Sequence, residues 1–268
     1  MKKVNRKVGE IVYGPVRSRR LGSSLGIGVV GQEGKTCSFD CVYCQYGQTV
    51  HHVACPEMVS DPLSPETILV AVEQALLPLK GEHLDSITFS GNGEPTLHPQ
   101  IRTIVQGVLE IRDEYCPTTP VDMLTNASLV LDPSVRRALE ALDRIVAKLD
   151  VGDQESFCSV NRPADGVPPI VDIVGGLGEL NREARGRLVL QTLIFESTDP
   201  CRVDNWKEQA VEQLVERIYQ IDPAKVQLYT IARAPSERHV AGVEAQVLES
   251  IKGKIDRKLG RDVATVYH

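Results

Sequence analysis

Cys37-Ser38-Phe39-Asp40-Cys41-Val42-Tyr43-Cys44 places three thiols within eight residues. Thiolates are soft ligands that suit iron–sulfur clusters and zinc, and three so close together can bind three corners of an iron–sulfur cube. An ordinary electron carrier supplies four cysteines per cluster. Here the next cysteine, Cys55, comes eleven residues after Cys44 and precedes Pro56. Three ligands leave one iron open to a small molecule. The competing reading is a structural zinc site completed by His51 or His52, although the spacing is not that of a common zinc finger. Cys55, Cys116, Cys158 and Cys201 have no partner at ligand spacing and read as buried or incidental thiols.

A second group of residues suits a bound ligand. In Gly91-Asn92-Gly93-Glu94-Pro95 the glycines allow close backbone approach, and the carboxylate can accept from an ammonium. Thr125-Asn126 can hydrogen-bond a ribose or a carboxylate, or simply form a polar turn before the Asp132 cap. Lys148 and Asp150 alternate with Ala147 and Leu149, so a strand there puts both on one face. Facing inward they make a charged pair beside a ligand, and facing outward they are surface groups. Gln191 lies in an apolar run and is a candidate buried amide. Arg17, Arg19 and Arg20 suit a phosphate or a carboxylate, or a salt-bridged rim. His98 and Arg233 follow predicted strand ends and are either substrate contacts or rim residues.

These residues need a scaffold. The chain has 268 residues, 42% of them hydrophobic, enough for one α/β barrel of roughly 250 residues. No Gly/Ser/Pro-rich linker, fixed-period repeat or low-complexity tract divides it. Apolar runs predict strands at Leu25–Val30, Ser86–Ser90, Val121–Leu124, Arg144–Leu149, Leu188–Phe195 and Lys225–Ile231, with a terminal strand at Val263–Tyr267. Helices are predicted from Ser64-Pro65, over Pro99–Glu110, from Asp132-Pro133, near 170–181, from an Asp204 cap, and over 241–258. Such β-α repetition implies a parallel sheet with right-handed crossovers. About six β-α units are too few for a closed barrel of eight and suit an α/β partial, open parallel barrel. The expected division is a basic N-terminal segment (1–24) packed on the barrel, the barrel itself (25–235), and a C-terminal helix and strand (236–268) extending the same domain. The candidate ligands fall at predicted carboxyl ends of strands, where parallel sheets collect their chemistry.

The formal net charge of −6 is uneven: residues 1–20 carry a net +6, leaving −12 on the remaining 248. Overall acidity argues against broad nucleic-acid binding. No apolar run reaches the roughly 18–20 residues that span a membrane, and the charged start has no apolar stretch behind it, so the expected compartment is the cytoplasm, with no membrane partner.

The cysteine spacing, with an aromatic residue before the last thiol, resembles the signature of radical S-adenosylmethionine (SAM) enzymes, and Gly91–Pro95 resembles their GGE-type motif. The resemblance implies a [4Fe-4S] cluster on Cys37, Cys41 and Cys44, with SAM chelated at the open iron. It further implies Tyr43 near the adenine, and Gly91, Gly93 and Glu94 on the SAM amino group. Asn126, Lys148, Asp150 and Gln191 become further cofactor contacts, and Arg17, Arg19, Arg20, His98 and Arg233 candidate substrate contacts. One-electron reduction by a flavodoxin- or ferredoxin-type donor would split SAM into methionine and a 5′-deoxyadenosyl radical, which abstracts hydrogen from the substrate. The segments Tyr13–Gly22, Leu25–Ile27, Phe89–Leu97 and Gln227–Thr230 are similar to the branch that includes wyosine-forming tRNA radical enzymes, which makes RNA one possible substrate class. Those tRNA enzymes carry extra cysteines ahead of the main motif, and this chain has none before Cys37, so the wyosine reaction is not assigned.

Overall fold

A computed structural model describes residues 11–30 and 34–267. Residues 1–10, which hold Lys2, Lys3, Arg6 and Lys7 of the basic segment, lie outside the described residues, as do 31–33 and 268.

The main sheet contains β1 (Val12–Ser18), β2 (Gly22–Ile27), β5 (Ser86–Phe89), β6 (Val121–Thr125), β7 (Arg144–Lys148), β8 (Leu188–Leu193), β10 (Lys225–Tyr229) and β12 (Ala264–Tyr267), in that spatial order. From β2 to β12 every neighbouring pair is parallel, and β1 runs antiparallel along the β2 edge. The sheet curls into an open half-barrel with helices outside. Two short pairs complete the strands: β3 (Thr36–Cys37) with β4 (His51–His52), and β9 (Phe195–Ser197) with β11 (Val240–Gly242). Strands β5 and β8 are buried along their whole length, as sheets covered on both faces require.

Local chemistry sets the helix starts. Ser64 Oγ accepts from Thr67 N ahead of α1 (Pro65–Leu76), and Asp132 Oδ1 accepts from Ser134 N and Val135 N ahead of α3 (Pro133–Glu140). Each is followed by Pro at the first helical position, where its missing N–H costs nothing. Helices α2 (Ile101–Tyr115), α4 (Ile170–Glu183), α5 (Glu208–Ile221) and α6 (Ala245–Leu259) complete the outer layer; α1 packs on α2, and α5 on both α4 and α6. Among the described residues no helix is long and apolar enough to cross a membrane.

Several boundaries differ from the sequence reading by a few residues, and three differences matter here. The strand predicted at Leu25–Val30 spans Gly22–Ile27: Ser24 pairs with Ser86 of β5, and its hydroxyl lies 2.8 Å from Thr88 Oγ1. Val12–Ser18, assigned to a packed N-terminal segment, is itself an edge strand. A register shift between Tyr13 and Val16 accommodates Gly14-Pro15, which an edge tolerates. Asp204 does not cap α5, which begins at Glu208. Its carboxylate instead holds Lys207 Nζ at 2.9 Å.

Candidate active site

One cavity of about 550 Å³ opens inside the half-barrel at the carboxyl ends of its parallel strands. That size suits a drug-sized or cofactor-sized ligand. Cys37, Cys41 and Cys44 all line it, as do Tyr43, Gly91, Gly93 and Glu94. Asn126, Lys148 and Gln191 line it as well. From the substrate candidates Arg17, Arg19, Arg20 and Arg233 are also present.

Main-chain bonds hold the cysteine loop on two sides. Thr36 N donates to Asn92 O and Glu94 N donates to Thr36 O, at 3.3 and 3.0 Å, so the loop and the glycine turn are laced together. A Cβ at Gly93, whose φ is +147°, would lie 1.9 Å from Thr36 O, so only glycine fits. On the other side Asp40 N donates to Asn161 O and Val42 N to Val160 O. These acceptors belong to a π-helical turn, Phe157–Asn161, that follows the short α-helical turn Gln154–Ser156.

Polar groups converge on the sulfurs. Asn126 Nδ2 donates to Cys37 Sγ and Asn161 Nδ2 to Cys41 Sγ, each at 3.6 Å. Lys35 is buried at the wall of the same cavity, with Nζ 3.3 Å from Gly47 O. Burial opposes its charge, but Cys44, Cys37 and Cys41 outweigh that and hold the ammonium above its ordinary range. Burial, followed by Glu94 and Cys41, drives the Cys37 thiol far above its usual value, and burial pushes Cys41 up to about 11. As neutral thiols these groups are poor nucleophiles. A cationic ligand such as iron is what makes the thiolate the favoured form. His51 and His52 stand exposed, and among the described residues no three His, Cys, Asp or Glu side chains converge as a single metal ion requires. The three thiols share one open cavity.

Glu94 is buried at the cavity wall. Its Oε1 accepts from Thr96 N, Thr96 Oγ1 and Thr125 Oγ1 at 3.1, 2.7 and 2.7 Å, and Oε2 accepts from Asn126 N at 2.7 Å. Burial raises its carboxyl above the usual range against all of these bonds. With one protein donor on Oε2, the carboxylate keeps capacity for an ammonium on the cavity side.

Lys148 and Asp150 face inward. Lys148 Nζ lies 2.7 Å from Asp150 Oδ1 and donates to the Tyr229 hydroxyl at 2.8 Å. Asp150 itself does not line the cavity. It sits behind Lys148 and accepts from Leu193 N and from the Tyr43 hydroxyl, so it is a positioning residue for both side chains. Gln191 Nε2 donates to Gln227 Oε1 at 2.8 Å, which fixes the buried amide.

His98 is a correction. It is fully buried away from the cavity: a 3-10 turn, Pro95–Leu97, carries it to the outer layer. There Nε2 donates to Leu63 O at 2.8 Å and Nδ1 accepts from Gln100 N at 3.1 Å. Both ring nitrogens are used, so it has nothing to offer a substrate. Sequence reasoning also missed residues. Lys35 had a signal, a lysine two residues before Cys37. Tyr229 lies in the segment Gln227–Thr230, whose similarity carries no role for it. Asn161 reaches Cys41 through a π-helical turn that has no periodic signature.

Three curated relatives are each 30% identical to this chain. A protein of Brachyspira hyodysenteriae named GTPase Obg matches over 241 residues, 90% of this chain but 33% of its own length, so the chain spans a third of that relative. A UPF0026 protein of Methanocaldococcus jannaschii matches over 253 residues, 94% of this chain and 73% of its own length. A UPF0026 protein of Synechocystis matches over 269 residues, 93% of each. No family model matches the chain. Among solved structures, a radical SAM methyltransferase from Sphaerobacter thermophilus superposes with a TM-score of 0.63 at 15% identity, covering 91% of this chain and 65% of that one. Streptococcus suis SuiB bound to S-adenosylmethionine superposes at 0.59 and 13% identity, covering 88% and 49%. The half-barrel is the radical SAM fold.

Proposed function

This chain belongs to the UPF0026 family, and we propose that it is a radical SAM enzyme. The carrying observation is the meeting of three thiols, Cys37, Cys41 and Cys44, with the Gly91–Glu94 turn around one cavity at the carboxyl ends of the strands. Cys37, Cys41 and Cys44 would hold a [4Fe-4S] cluster. Its open iron, reduced by an external flavodoxin- or ferredoxin-type donor, would supply reductive cleavage of SAM and a 5′-deoxyadenosyl radical that abstracts hydrogen from the substrate.

The residues around that centre have separable tasks. Asn126 and Asn161 direct N–H groups at Cys37 and Cys41, which stabilises thiolate charge. Lys35 places a buried cation within electrostatic reach of all three sulfurs. Glu94, held by bonds from Thr96, Thr125 and Asn126, presents Oε2 to an ammonium such as that of an amino acid. The backbone of Gly91 and Gly93 lets a ligand approach without a side chain in the way. Asp150 orients Tyr43 and Lys148 from behind. Seven free thiols are consistent with a reducing compartment.

The test is anaerobic reconstitution with iron and sulfide, then addition of dithionite and SAM. The expected product is 5′-deoxyadenosine, absent from a Cys41→Ala variant. A brown protein whose paramagnetic resonance spectrum ignores SAM would instead mark an electron carrier.

A further inference from the structure

Among the described residues Arg20 is the half-buried arginine whose side chain has no hydrogen-bond acceptor. Among the described residues the other half-buried arginines are Arg112, Arg136, Arg144, Arg162, Arg187 and Arg217, and each donates to a carboxylate, a carbonyl or both. The Arg20 side chain donates to nothing among the described residues, and its Nε is fully covered. Its guanidinium carbon lies over the Tyr229 ring, 3.9 Å from the centroid, and both side chains line the cavity. Burial pulls its charge down, Tyr229 opposes this, and Arg19 and Arg233 add to it. Arg17, Arg19 and Arg233 line the same cavity, and none of the four arginines has a carboxylate within ion-pair distance among the described residues. Glu94 is the one carboxylate among the described residues lining the cavity.

The two charges stand apart. Glu94 follows β5, third in the sheet, whereas Tyr229 ends β10, seventh in the sheet, with β6, β7 and β8 between them. The amine and carboxylate of an α-amino acid share one carbon. A ligand whose amine is held by Glu94 therefore keeps its carboxylate near Glu94 and leaves the arginines across the cavity unmatched. A desolvated guanidinium stays protonated and calls for an oxyanion.

We propose that the substrate carries an oxyanion, a carboxylate or a phosphate, which Arg20 seats against the Tyr229 side of the cavity with Arg19 and Arg233 around it. This rests on reading the cavity as a shared chamber for SAM and substrate. Arg20 fixes one end of the substrate, and the rest lies toward the cysteine loop.

Calorimetry with inorganic pyrophosphate and with succinate as probes, at low ionic strength, tests it. The protein is the anaerobically reconstituted enzyme, with and without saturating SAM. Saturable binding of at least one probe is expected, weakened at least about tenfold by Arg20→Gln and measurably by Arg233→Gln, but unchanged by Arg102→Gln on the outer face of α2. Arg233 is exposed, so its variant stays informative if Arg20→Gln folds poorly. Preference for pyrophosphate assigns a phosphate and preference for succinate a carboxylate. Absence of binding by both probes, equal binding in wild type and both cavity variants, or displacement of the probe by SAM would overturn the proposal, the last by giving the arginines to the cofactor. Repeating the titration on cluster-free protein separates this result from a failed deoxyadenosine assay.

Discussion

Lys148 and Asp150, two residues apart, form an ion pair of 2.7 Å inside the barrel, with the Asp150 side chain fully buried. Burial works against the Lys148 ammonium, but Asp150 and then Tyr229 outweigh it and hold it above its ordinary range. Removing Lys148 leaves the buried Asp150 carboxyl without its cation, held only by Leu193 N, the Tyr43 hydroxyl and Asn161 Nδ2. Lys148→Met should therefore destabilise the protein by about 3–5 kcal/mol. Adding Asp150→Asn to that variant should recover part of the loss, and urea denaturation of both checks the difference.

Glu94→Gln keeps the shape of the side chain and replaces one acceptor oxygen with a donor. Thr96, Thr125 and Asn126 all donate to Glu94, so one of these bonds must become a donor–donor contact. A stability loss of about 1–3 kcal/mol is expected. SAM affinity of the reconstituted protein should fall more than tenfold, because the ammonium partner goes with it. Equal SAM affinity in equilibrium dialysis would remove Glu94 from the cofactor site.

Asn161→Ala deletes an N–H···S contact to Cys41 and a bond of 3.2 Å to the Tyr43 hydroxyl. A hydrogen bond to sulfur favours the more negative, reduced cluster. Its loss should lower the midpoint potential by about 40 mV, the one-electron equivalent of about 1 kcal/mol. A redox titration followed by paramagnetic resonance measures it, and Asn161→Asp, which keeps the size but not the donor, should shift it in the same direction.

Burial lowers the pKa of His98 below the ordinary 6.5, and the Leu63 carbonyl only partly restores it. The unfolded imidazole takes up its proton near pH 6.5 and the folded one only at lower pH. Unfolding therefore binds a proton in that window, and acid favours it. The stability that wild type holds over His98→Gln at pH 7.5 should shrink as the pH falls through 6.5 toward 5. A difference that grows on acidification would contradict the neutral ring bonded to Leu63 O and Gln100 N.

Much of the convergence around the cavity was legible because it is written in dense or periodic patterns. Three cysteines in eight residues, a glycine turn with a carboxylate, and a period-two Lys148/Asp150 pair each constrain local geometry. The parallel order of the strands then brings their carboxyl ends together. What escaped lies where the chain leaves such patterns. Asn161 is aimed by a π-helical turn, and β1 is concealed by Gly14-Pro15 at its register shift. His98 misled because a position after a strand end says nothing of the turn that follows. Here Pro95–Leu97 swings it into the helical layer. Asp204 resembled a helix cap but sits four residues before the helix starts, bonded to Lys207.

The lacing of Thr36 to the glycine turn runs through peptide groups rather than side chains. The spacing between the Cys37 and Glu94 backbones is thus set by main-chain bonds on either side of Thr36. A methyl group at position 93 would collide with a carbonyl and pry the two motifs apart in a single step.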